Sequence, residues 1–129
     1  MNKQDVFNRV VAHAREQGRR SLMPTGSCAY RGEDGAKCFI GALITDEAYD
    51  WRLECQGVSS HEVLEALAAS GVIVETTDEM VFCSRLQTIH DGSGIHGDTP
   101  RQWEDNFRAT ARQFDLTYTP PGKPYLTTP

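Results

Sequence analysis

The side chains best suited to chemistry in this chain of 129 residues are four histidines and four cysteines. His90, Asp91, His96 and Asp98 crowd into one short stretch. Imidazoles and carboxylates gathered on a loop suit a divalent cation. The same groups suit proton transfer in a small hydrolase or transferase. Against that, there is no HExxH helix signature, and His90 and Asp91 fall at the expected end of a helix. Cys83 lies one helical repeat before His90, which would place a thiol near a base. A free cysteine at such a position reads more simply as a small core residue. His61-Glu62 has the residue types of a zinc deaminase in the wrong order and without the PCxxC partner. Cys28, Cys38, Cys55 and Cys83 form no CxxC pair, so a zinc ribbon is not expected. The residues predict no catalytic set, no metal and no cofactor, and favour a non-enzymatic role.

Two further patterns suit binding. Gly92-Ser-Gly-Ile-His-Gly97 matches GxGxxG, whose glycines let a backbone approach phosphate. That motif must follow a strand, and here it follows an expected helix. A helix starting at Thr99 would still aim its amides at an anion. Together with Tyr30 and Arg31, which suit a phosphate or carboxylate, this gives a nucleotide-binding alternative, such as a sponge for a signalling nucleotide. Trp51, set among Asp50, Arg52 and Glu54, suits an exposed interface anchor. The binding candidates are Tyr30, Arg31, Asp46, Glu47, Trp51, His90, Asp91 and His96.

These residues are carried by elements that the apolar spacing predicts. Val6, Phe7, Val10, Val11 and Ala14 make one stripe of a helix from about Lys3 to Gln17, capped by Asn2 and ended at Gly18. Gly32-Glu-Asp-Gly35 between two short mixed runs signals a hairpin, and a turn centred on Glu33 would set Cys28 opposite Cys38. Thr45 starts a short helical turn through about Trp51. Ser59-Ser60-His61-Glu62 is a capping-box pattern before a helix that ends at Gly71. Val72-Ile73-Val74 suits a short strand. A helix follows from about Asp78 to Asp91, with Phe82, Leu86 and Ile89 inward. Thr99 caps a last helix in which Trp103, Phe107, Ala111 and Phe114 recur at helical spacing. The expected fold is α+β and predominantly helical: four to five helices with one small β-hairpin. Residues 1–116 form a single domain, and the proline-rich tail 117–129 is an extended arm on a surface or a mobile end.

The net charge of −5 is unevenly spread. Residues 1–31 carry six Lys/Arg against two Asp/Glu, and residues 32–91 carry three against twelve. An acidic middle argues against nucleic acid, which needs a basic surface to displace counterions. It suits a basic partner surface. No apolar run is long enough for a membrane helix, and the start lacks a secretory pattern.

The run Cys28-Ala-Tyr-Arg-Gly-Glu-Asp-Gly-Ala-Lys-Cys38-Phe-Ile-Gly-Ala-Leu-Ile44, followed by Asp46-Glu47-Ala-Tyr49, resembles small proteins encoded by bacteriophages and prophages. They read C-x-Y-R-G-x-D-G-x-K-C-x-I-G-x-L-I-x-D-E-x-Y. Leu86-Gln-Thr-Ile-His-Asp91 and Pro100-Arg-Gln-Trp103 are similar to their later motifs, and the resemblance extends to about Leu116. It departs in the Gly-rich stretch 92–98 and in the tail. It brings no activity and no catalytic residue with it. It implies a phage accessory protein in the host bacterial cytoplasm. Such a protein would bind and modulate a host protein, including a defence system in the manner of an anti-CRISPR. The oligomeric state is left open.

Overall fold

The computed structural model describes residues 1–92 and 100–122. Within them lie four α-helices: α1 (Lys3–Gln17), α2 (His61–Ala69), α3 (Thr77–Asp91) and α4 (Pro100–Gln113). The helices α1, α2 and α3 each have a local cause. The Asn2 side chain accepts from the Asp5 amide at the start of α1, and Gly18 closes it with φ of 66°; this is the left-handed exit that glycine adopts without strain. Ser60, not Ser59, caps α2 by accepting from the Val63 amide. Glu62 is therefore not part of a capping box and stays exposed. The full box belongs to α3, where the Thr76 hydroxyl and the Glu79 carboxylate bond each other's backbone amides. The Thr76-Thr-Asp-Glu79 pattern was available in the sequence for this start.

The helices α1, α3 and α4 pack against one another, and the turn Gly41–Leu43 closes on α1. Phe39 lies at the centre of the core. Its ring meets His90 at 5.1 Å, Trp103 at 4.9 Å and Phe107 at 5.5 Å between centroids. The stripe predicted for α1 is buried in full, as are Phe82, Leu86, Ile89, Trp103, Phe107 and Ala111.

The hairpin expected over 28–38 does not form as a ladder. Among the described residues its place is taken by single bridges, Leu22 to Cys28 and Arg31 to Lys37, around a 3-10 turn at Glu33–Gly35. The reason is competition for amides. The Tyr30 and Arg31 amides donate to the Glu54 carboxylate at 2.9 and 3.1 Å, and the Lys37 amide donates to the Gln17 side chain at 2.8 Å. Donors taken by side chains are not free for a strand partner. Cys28 pairs with Leu22 instead of facing Cys38, and all four cysteines are free thiols. Val72-Ile73-Val74 forms no strand, having no bridge partner among the described residues, although Val72 is buried and Ile73 exposed.

Two glycines explain why the segment is so glycine-rich. A Cβ on Gly41 would collide with the Tyr30 carbonyl, and one on Gly32 with the Leu22 backbone. The chain crosses itself there at backbone distance, which only glycine permits. After α4, Asp115 adopts φ of 57°, and the chain turns back along α1. Gln4 and Thr117 exchange two hydrogen bonds, and Arg15 donates to the Thr119 carbonyl. The start of the tail is thus an extended arm on α1; residues 123–129 lie outside the described part.

Candidate functional site

The described candidates fall into three places. The first surrounds the end of α3. His90 is fully buried. Its Nε2 accepts from the Ser21 amide at 2.9 Å, and its Nδ1 lies 2.8 Å from an Asp91 carboxylate oxygen. An amide can only donate, so Nε2 carries no proton and Nδ1–H donates to Asp91. Arg20 then ties the cluster to the preceding loop. Its guanidinium donates to the His90 and Asp91 carbonyls at 3.2 and 2.7 Å and to the Cys28 thiol at 3.0 Å.

Cys28, His90 and Asp91 bring one potential ligand atom each within 4.8 Å of the others. The surrounding bonds oppose a cation. A metal on Nδ1 would displace the proton given to Asp91 while Nε2 still accepts from Ser21, which would require an imidazolate ring. Arg20 would also sit against a dication. Nor is Cys28 an activated nucleophile: burial, then the Asp91 charge, raises its thiol, whereas an attacking cysteine needs a lowered one. The group is therefore a set of internal hydrogen bonds that locks the 20–28 loop to α3. His96, Asp98, Thr99 and the loop after Gly92 lie outside the described residues.

The second place holds Tyr30, Arg31, Asp46 and Glu47. Tyr30 is only 5% exposed, and its hydroxyl donates to the Gln56 carbonyl at 2.7 Å. Burial raises that hydroxyl's pKa well above its usual value. Arg31 donates to the Gly41 and Ile44 carbonyls at 2.7 and 2.8 Å and to Asp46 at 3.1 Å, with its guanidinium 4.9 Å from the Tyr49 ring. Tyr30 and Arg31, expected to suit a phosphate or carboxylate, are thus turned inward. The cause is Glu54, whose carboxylate takes both residues' amides and the Tyr49 hydroxyl. Glu47 is exposed.

The third place is the surface around Trp51. Asp50 accepts from the Arg52 amide and starts a 3-10 turn at Trp51–Leu53. That turn points the indole outward, with 72% of the residue exposed, while Leu53 anchors the turn in the core. Beside it is an open depression of about 300 Å³ between this turn and α2. Ala48, Leu53, Ala66 and Ala69 give it an apolar floor, and Asp50, Glu62, Glu65 and Arg52 line it with charge. Glu62, Glu65, Ala66 and Ala69 recur at helical spacing, so one face of α2 makes a whole wall. The short alanines leave the hollow. The other tryptophan, Trp103, is fully buried.

Sequence reading singled out Trp51 but not the depression. Its signal was available in the pair of alanines beside two glutamates on α2, but nothing in the sequence placed the 48–53 turn against that face. Comparison with protein-family models, curated proteins and solved structures gave no match. No helix among the described residues is long and apolar enough to cross a membrane.

Proposed function

We propose that this chain is a non-enzymatic binding protein that docks on another protein through the Trp51 surface. The observation that carries this reading is a tryptophan left 72% exposed beside a concave, acid-lined wall. Tryptophan is enriched among the residues that anchor interfaces, and the chain neighbours of Trp51, Asp50 and Arg52, line the depression. The commitment of His90, Asp91, Tyr30 and Arg31 to internal bonds supports the same view, because it leaves them little capacity to act on a substrate. The resemblance to phage-encoded proteins supports a bacterial host protein as partner and modulation of it as the outcome. A host defence system such as CRISPR–Cas is the partner class this reading favours.

The test is capture from bacterial lysate at physiological salt, with the wild-type chain and Trp51→Ala compared side by side. A specific partner held by the wild type and lost by the folded variant is the expected result. Equal capture by both would refute the Trp51 surface as the docking site.

A further inference from the structure

The depression beside Trp51 has a chemistry of its own. Three carboxylates, Asp50, Glu62 and Glu65, line it against one guanidinium, Arg52. They are not arranged to neutralise one another. Glu65 is paired with His61 at 2.8 Å, but both side chains are largely exposed, and such pairs are readily exchanged. Glu62 is exposed and makes no ion pair with a described residue. The floor between these charges is alanine and leucine. Arg52 reaches toward Trp51, its guanidinium carbon 5.8 Å from the ring centre, so the tryptophan already presents a face to a cation.

A side chain that fits such a place has an apolar stem and a positive head. The stem would lie along Ala48, Ala66 and Ala69, while the head would meet Glu62 and Glu65. Lysine and arginine have this form. A volume of about 300 Å³ is at the small end for ligand sites and suits one such side chain better than a drug-sized molecule. Nucleic acid is disfavoured, since its phosphates would face carboxylates. A second copy of this chain is also a poor occupant, because the acidic face would meet an equally acidic one.

We propose that this depression receives a lysine or arginine side chain from a basic segment of a partner protein, with Trp51 packing on the adjoining residues. The inference rests on the Trp51 docking reading and adds the partner's chemistry. The charge arrangement makes the attraction steeply salt-dependent and speeds encounter with a basic surface.

The test uses a defined probe, a decapeptide of alternating arginine and glycine, against the full chain. Binding is read from Trp51 fluorescence and from amide shifts of residues 48–53 and 61–69. A glutamate–glycine decapeptide is the control. A saturable response to the arginine peptide alone is expected, weakening as salt rises. Glu62→Gln/Glu65→Gln should raise Kd by about five-fold to ten-fold with an unchanged melting temperature. No saturable response, equal binding of the glutamate peptide, or an unchanged Kd in the double variant would each overturn the proposal. So would concentration-dependent dimerisation abolished by Trp51→Ala, which would make a second copy the occupant. The two readings fail differently. If lysate capture is lost in Trp51→Ala but intact in the double glutamine variant, docking stands and the cationic pocket falls. If capture survives Trp51→Ala, docking itself falls, whatever the peptide does.

Discussion

Replacing His90 tests whether the cluster at the end of α3 is structural. The ring is fully buried, accepts the Ser21 amide at 2.9 Å and stacks on Trp103 with centroids 6.2 Å apart. Ser21 is itself fully buried. His90→Leu keeps much of the volume but leaves the Ser21 amide without its acceptor. An orphaned buried donor costs about 1–3 kcal/mol. His90→Ala adds a cavity beside Phe39 and Trp103. Emptying an aromatic-sized site in a core costs about 3–5 kcal/mol on its own. The alanine variant should thus lose about 4–8 kcal/mol, much of the roughly 5–15 kcal/mol that holds a domain folded. Urea titration monitored by circular dichroism measures both, with an unchanged slope expected if only stability moves. Nitrogen-15 spectra of the ring should show the proton on Nδ1 and a bare Nε2. A leucine variant within about 0.5 kcal/mol of wild type, or a protonated Nε2, would refute the assignment of His90 as a structural acceptor.

The remaining predictions concern other parts of the molecule. Trp51→Ala should change stability by no more than about 0.5 kcal/mol, because the residue is 72% exposed; a large loss in a melting experiment would mean the indole packs on the fold. Glu79 is held down to about 2 from an ordinary 4.5, first by the Glu75 amide and then by the amino terminus. A lowered folded value contributes stability that is full above pH 4.5 and is lost as pH falls toward 2. Acid titration of Glu79→Gln should show that loss diminished, and an identical acid limb in both proteins would contradict it. Burial pushes the Cys38 thiol up to about 12 and the Cys83 thiol up to about 11, while Cys55 is exposed. Brief alkylation of the folded protein followed by mass spectrometry should label Cys55 and spare Cys38 and Cys83 until denaturant is added; early labelling of Cys38 would contradict the buried placement.

The helices were legible because their signals are local. Asn2 and Gly18 bracket α1, and the apolar spacing from Val6 to Ala14 reports its buried face. Trp103 and Phe107 mark the inner side of α4 in the same way. The spacing over 28–38 suggests a hairpin because the partners that decide its fate are remote in sequence. Glu54 and Gln17 take the amides a ladder would need, and no local pattern announces them. For the same reason Tyr30 and Arg31 suit a phosphate or carboxylate in the sequence and are committed to internal carbonyls in the fold.

The sequence by itself determined a predominantly helical chain with an acidic middle and a conspicuous Trp51 set among charges. These follow from composition and from periodicities of a few residues, which need no long-range contact. Tertiary structure decided the rest. It set Nε2 of His90 on Ser21, 69 positions away, and so turned a potential base or ligand into an internal acceptor. It also laid the turn at Trp51–Leu53 against α2, and so made a hollow out of residues that the chain keeps apart. Both outcomes arise where distant segments compete for the same donors and the same apolar floor, a competition settled only when the core closes.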